Sequence, residues 1–252
     1  MFGQNKIICI AGKNECAIQF VKFVSSVVPK KNILILTNKS DNGKDNWQPS
    51  LKKFARKNKY KLTKINNLYT IDNLIFISIE YESIINIDKF LSKELFNFHF
   101  SLLPKYRGCH TNFFQIYNGE KFSGVTLHKI DNGIDTGPII DQLKFSINKN
   151  SNAYKNYKFL MKTSVKLLKK NFKKILNYRY KTRKQKLENG SYYSRKSINY
   201  EKMKHFNLTK LNMKYFNRIK AFIFPPLQLP LLNKKKISDI KFLNNNFKII
   251  YD

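Results

Sequence analysis

Apolar and polar positions follow two periods along the chain. Lys6–Ile10 is a short apolar run closed by Ala11-Gly12 and reads as a buried strand. Asn14–Val28 follows with apolar residues at Ala17, Phe20, Val21, Val24 and Val28, the spacing of an amphipathic helix. Asn32–Leu36 is a second strand, Trp47–Lys57 a helix, Leu74–Ile79 another buried strand, and Phe96–Phe100 a further one after a short polar segment. Strands alternating with helical patterns predict βαβ units, and so an α/β fold with a Rossmann-like, mostly parallel sheet. Such sheets bind ligands beyond the carboxyl ends of their strands, which points to the loops after Ile79 and after Phe100.

Val125–Ile130 and Ile139–Ile147 read as two more strands, joined by the turn-rich Asp131-Asn132-Gly133-Ile134-Asp135-Thr136-Gly137. Asn152–Tyr178 is a long helix with its stripe at Tyr157, Leu160, Met161, Val165, Leu168, Phe172, Ile175 and Leu176. Arg179–Gly190 is charged and aperiodic, the pattern of a linker. Leu208, Leu211, Tyr215, Ile219 and Phe222 suit one more helix, stopped by Pro225-Pro226, and the tail from Leu227 reads as a small β appendix. The expected division is a Rossmann-like domain over 1–178 and a small region of one helix and a β-hairpin over 179–252.

Composition narrows the class. With 42% hydrophobic and 14% aromatic residues in 252, the chain has material for a packed interior, which excludes disorder. No apolar run reaches 18 residues, and Met1–Asn5 lacks the charged region of a leader, so neither a membrane span nor a signal peptide is expected. Cys9, Cys16 and Cys109 have no metal-ligand spacing; no metal is expected, and a reducing, cytoplasmic compartment fits them. The formal charge of +32 has two readings. One is a polyanion-binding surface; the other is coding bias, because Lys, Asn, Ile, Phe and Tyr crowd the whole chain and the lysines are scattered. Nucleic acid is not the expected partner.

The candidate chemistry lies in Phe96–Gly108. Asn97 and His99 are two apart on a strand and share a face, and polar groups at the end of a buried strand need partners or a ligand. Asp135 sits in the next turn-rich loop. An amide that donates to a developing oxyanion, an imidazole that moves protons and a carboxylate that holds the imidazole charged suit acyl or formyl transfer. Taken alone, Asn97 and His99 could be a structural pair and Asp135 a turn-former. His128 and His205 read as structural. Gly12-Lys13-Asn14 lacks the phosphate-loop pattern.

Asn97-x-His99-x-Ser101-Leu102-Leu103-Pro104-x-Tyr106-Arg107-Gly108, then Asn118-Gly119-Glu120, Gly124-Val125-Thr126-Leu127-His128 and Asp131-x-Gly133-Ile134-Asp135-Thr136-Gly137, resembles the folate-dependent formyltransferase family. The resemblance is dense over Phe96–Gln142 and compatible from Lys6 to Tyr178. It implies an enzyme that uses 10-formyltetrahydrofolate, with Asn97, His99 and Asp135 as the catalytic trio. It also implies a pterin between the loops Ser78–Tyr81 and Asp131–Asp135, contacting Ser78, Ile79, Tyr81, Leu103, Asp131 and Ile134. Tyr106, Arg107 and His110 are candidate substrate contacts; Tyr106 and Arg107 could equally pack and pair. The chain departs from the family pattern at Phe100 and over Cys109–Phe114, beside the expected amine site.

About seventy residues follow Tyr178, little room for the large C-terminal barrel of methionyl-tRNA formyltransferases. Gly190–Arg195 and Phe216–Phe222 before Phe224-Pro225-Pro226 resemble the tail of sugar-nucleotide N-formyltransferases, most of all those acting on 4-amino-4,6-dideoxyhexoses such as GDP-perosamine. This resemblance implies a nucleotide-linked amino-dideoxy sugar as acceptor, a role in lipopolysaccharide O-antigen synthesis and a homodimer formed through the tail. The alternatives are a methionyl-tRNA formyltransferase with a shortened tail and a non-enzymatic polyanion-binding protein.

Overall fold

A computed structural model describes residues 6–207 and 212–252. In chain order the elements are β1 (Ile7–Gly12), α1 (Asn14–Ser25), β2 (Ile33–Thr37), α2 (Leu51–Lys57), β3 (Lys61–Leu62), β4 (Leu74–Ile79), β5 (Leu95–His99), β6 (Arg107–Gly108) and α3 (Thr111–Tyr117). Then come β7 (Phe122–Lys129), β8 (Ile139–Ser146), α4 (Ala153–Leu176), β9 (Tyr192–Tyr193), α5 (Tyr200–Met203), β10 (His205–Phe206), α6 (Met213–Phe222), β11 (Leu231–Leu232), β12 (Lys235–Leu243) and β13 (Asn246–Tyr251).

The main sheet runs β3-β2-β1-β4-β5-β7-β8. Its first five strands are parallel, and β7 and β8 close it antiparallel. The expected Rossmann-like, mostly parallel sheet is therefore present. Chain order reverses between β1 and β4, which opens a crevice at their carboxyl ends. The two strands approach closely there: a Cβ on Gly12 would sit 2.1 Å from the Ile79 carbonyl oxygen.

Each face of the sheet buries its own core. Ile8, Ile10, Ile77, Ile79, Phe96 and Phe98 pack under α1, α2 and α4, while Cys9, Ala11, Leu34, Phe76 and Leu95 pack on the opposite side with Leu68, Ile85 and Phe90. A third core joins Tyr106, Phe113 and Phe114 to Phe216, Phe222, Ile237 and Ile240. The C-terminal elements include a four-stranded sheet, β10-β11-β12-β13, so the expected β appendix is there with one helix of the expected type, α6.

Several boundaries differ from expectation, and for three of them the local contacts show the reason. The helix expected from Trp47 starts at Leu51, because side chains hold the preceding residues in turns. Asn46 Oδ1 accepts from Gln48 N, Asp45 Oδ1 accepts from Ser50 N, and Ser50 Oγ caps the helix by accepting from Lys53 N at 3.0 Å. The long helix ends at Leu176, and Tyr178 takes a left-handed φ of 56°. The last helix starts at Met213, capped by Asn212, whose Oδ1 accepts from Tyr215 N at 2.9 Å; Leu208 and Leu211 lie outside the described residues. No helix among the described residues is long and apolar enough to cross a membrane.

Candidate active site

A cleft of about 770 Å³ lies across the carboxyl ends of β1, β4 and β5. Asn97 and His99, at the end of β5, line it together with Asp135 from the β7–β8 loop. Strand alternation puts Asn97 and His99 on one face. Asp135 reaches them because the loop doubles back: Asp131 Oδ1 accepts from Thr136 Oγ1 at 2.7 Å and from Gly133 N at 3.2 Å, and Asp135 itself holds a left-handed φ of 54°.

The other two side chains converge on Asp135. Its Oδ2 lies 3.3 Å from His99 Nδ1 and accepts from Gly108 N at 2.9 Å. Its Oδ1 accepts from Asn97 Nδ2 at 3.1 Å. His99 Nε2 donates to the Tyr106 carbonyl at 2.7 Å, so each ring nitrogen of His99 faces an acceptor, and only a ring protonated on both donates to both. Burial works against the charge on Asp135. His99 beside it, helped by the Gly108 N–H, outweighs burial and holds the carboxyl well below the usual carboxylate range.

His128 is a fourth member that the sequence reading set aside as structural. It stands opposite Asn97 in the β5–β7 register. Its Nδ1 donates to the Lys129 carbonyl at 2.7 Å, which leaves Nε2 to accept from Asn97 Nδ2 at 3.2 Å, and Nε2 lies 3.5 Å from Asp135 Oδ1. Both amide hydrogens of Asn97 are therefore used inside the cluster. The signal was in the sequence: Thr126 and His128 are polar residues two apart on a buried strand.

The other expected contacts divide. Tyr81 and Ile134 line the cleft, with Ile84, Ile85 and Ile130. Ser78, Ile79 and Leu103 are buried and do not line it, and Asp131 shapes the loop through Thr136. Tyr106 is buried away from the cleft: its hydroxyl donates to Glu120 Oε1 at 2.8 Å and its ring stacks on Tyr193. Arg107 pairs through its backbone with β9 and does not line the cleft. His110 lines it, but its Nε2 donates to the Arg195 carbonyl and its Nδ1 accepts from Tyr200.

The segment read as a linker braces the site. Gln185 Nε2 donates to the carbonyls of Asp135 at 3.0 Å and Gly137 at 2.7 Å, and Arg183 exchanges backbone hydrogen bonds with Ile139. Ser191 accepts from Tyr106 N through its hydroxyl and from Arg107 N through its carbonyl, each at 2.8 Å. Tyr192 and Arg195 reach the cleft itself, as do Lys13, Glu80 and Tyr157. No group of three or more His, Cys, Asp or Glu that could hold a metal is found among the described residues.

A Rossmann-like sheet whose strand ends gather an amide, two imidazoles and a carboxylate is an arrangement suited to handling a carbonyl. Residues 7–171 match the Formyl transferase family, and the chain belongs to it. It is similar to WlaRD, a sugar 3N-formyl transferase crystallised in the presence of dTDP and 5-N-formyl-THF, at 44% identity and a TM-score of 0.90 over 95% of this chain and 87% of that one. It is also similar to the N-formyltransferase from Helicobacter canadensis in complex with folinic acid and dTDP-3-aminofucose, at 41% identity and 0.89 over 95% and 88%. The bifunctional polymyxin resistance protein ArnA of Wigglesworthia glossinidia brevipalpis is 35% identical over 158 residues, covering 58% of this chain and 24% of that protein. The chain spans between 24% and 52% of the length of the first curated relatives it matches.

Proposed function

We propose that the chain is a sugar-nucleotide N-formyltransferase that moves the formyl group of 10-formyltetrahydrofolate to the amine of a nucleotide-linked amino-dideoxy sugar. The convergence of Asn97, His99 and His128 on the Asp135 carboxylate carries this reading. Two relatives, at 44% and 41% identity, were crystallised with dTDP and with dTDP-3-aminofucose, which supports a dTDP-linked 3-amino sugar over the 4-amino sugar expected from the tail.

In this scheme the folate supplies the formyl carbonyl, and the protein's residues manage charge and protons. His99, oriented by Asp135 and the Tyr106 carbonyl, would act as general acid–base, taking the proton the attacking amine loses as its bond to the formyl carbon forms and returning one to the folate nitrogen as that carbon leaves it. Asn97 donates to the developing oxyanion once one of its two amide hydrogens is released. The hydrogen now given to His128 Nε2 at 3.2 Å is one of the two that could be released. Each such contribution is worth about two to four orders of magnitude in rate. The apolar wall of Tyr81, Ile84, Ile85, Ile130 and Ile134 is the surface for the flat pterin.

Residues 1–178 form the catalytic domain in this reading, and 179–252 the accessory region. In this reading the protein is a cytoplasmic homodimer acting in surface-glycan (O-antigen) synthesis. The deciding experiment incubates the protein with 10-formyltetrahydrofolate and dTDP-, GDP- and UDP-linked amino sugars and follows product mass. A gain of one formyl group on a sugar nucleotide is expected; product only from charged initiator tRNA, or none at all, rejects the assignment.

A further inference from the structure

Glu80 occupies the cleft without a part in the transfer chemistry. It follows β4 at a left-handed φ of 54°, which takes its side chain out of strand alternation and toward α4. Its two carboxyl oxygens lie 2.9 and 3.0 Å from the Tyr157 hydroxyl, which accepts in turn from Gln48 Nε2 at 2.9 Å, and its carbonyl is pinned by Asn38 Nδ2 at 3.0 Å. The position is fixed, yet one hydroxyl hydrogen shared by two oxygens leaves most of a carboxyl's roughly four acceptor sites open. Glu80, Tyr157 and Lys13 all line the cleft.

We propose that the Glu80 carboxyl is a specificity-determining contact that receives a hydroxyl hydrogen from the sugar ring of the acceptor, a proposal that rests on the sugar-nucleotide reading above. Three observations select that ligand. A phosphate would meet a group of its own charge. The apolar wall suited to a heterocycle lies on the other side of the strand ends, where Tyr81, Ile85 and Ile130 pack against the core that contains Phe76. The β4–β5 register pairs Ile79 with Phe98, so Glu80 stands one step beyond that pair, as His99 does in the neighbouring strand, and both line the one cleft. Burial raises the Glu80 carboxyl to about 7 despite Lys13 and Tyr157.

The test is steady-state kinetics of the full chain with a dTDP-3-amino-3,6-dideoxyhexose and its analogues lacking the C2 or the C4 hydroxyl. Removing the hydroxyl that meets Glu80 should raise the wild-type KM about 10- to 100-fold. Glu80→Ala should raise the KM of the intact acceptor by a similar factor, lose discrimination against that analogue and leave the folate KM within about twofold. Glu80→Gln, the isostere, gives the same pattern more weakly and serves if the alanine variant does not fold. An unchanged acceptor KM in the variants, or a rise in folate KM instead, overturns the Glu80 assignment alone. A wild-type protein that formylates no sugar nucleotide overturns the reading beneath it as well.

Discussion

The backbone N–H of Gly108 donates to Asp135 Oδ2 at 2.9 Å, joining the turn after the Ser-Leu-Leu-Pro stretch to the loop that carries the carboxylate. Gly108 takes φ of 87°, and a Cβ there would lie 2.3 Å from the Tyr193 carbonyl oxygen. Gly108→Ala must therefore move β6 away from β9 or strain its own backbone. A loss of about 2 kcal/mol is expected, with a fall in kcat. Urea unfolding read beside steady-state kinetics checks both effects.

Replacing His99 with Ala, or Asp135 with Asn, removes the charge pairing at the centre of the cleft. Activity should drop by about two to four orders of magnitude, while circular dichroism and thermal unfolding stay close to wild type. If transfer survives either change at near wild-type rate, the catalytic trio is misassigned.

Gln185 holds the Asp135 loop by donating to the Asp135 and Gly137 carbonyls, which makes it a positioning residue. Gln185→Ala should lower kcat about tenfold through misplacement of the carboxylate, with smaller changes in either KM. A fall confined to KM would speak against this role.

Glu80 also sets a pH dependence of stability. Its carboxyl is raised from 4.5 to about 7 on folding, first by burial. Between those values the folded chain holds a proton that the unfolded chain has lost, so stability is full below about pH 4.5 and declines as pH rises toward 7. The decline amounts to at most about 3 kcal/mol. Glu80→Gln should flatten that slope, which denaturant titrations at pH 5 and pH 8 would show.

Long, regular elements were legible from pattern alone. Leu74–Ile79 is β4 residue for residue, because a fully buried strand flanked by Asn73 and Glu80 writes its ends in polarity. Asn152 marked the start of α4 because it is the cap, accepting from Lys155 N. α3 was missed: Phe113 to Ile116 are all buried, polar Gln115 included, so polarity does not mark an exposed face of the helix. β6 and β9 are two residues each, too short to carry a period. At the site, Asn97, His99 and Asp135 were found through their motif, whereas the part played by His128 depends on a cross-strand register. Glu80 and Gln185 escaped for a similar reason, since their partners lie 77 and 50 residues away.

The bracing of Asp135 and Tyr106 by residues 183–191 has a practical consequence. Cutting the chain after Tyr178 would keep the sheet and its two cores but release both loops that aim the reacting groups, so the shortened product should pack well and turn over poorly. For the same reason, grafting a foreign tail onto this catalytic half would alter chemistry as well as substrate choice.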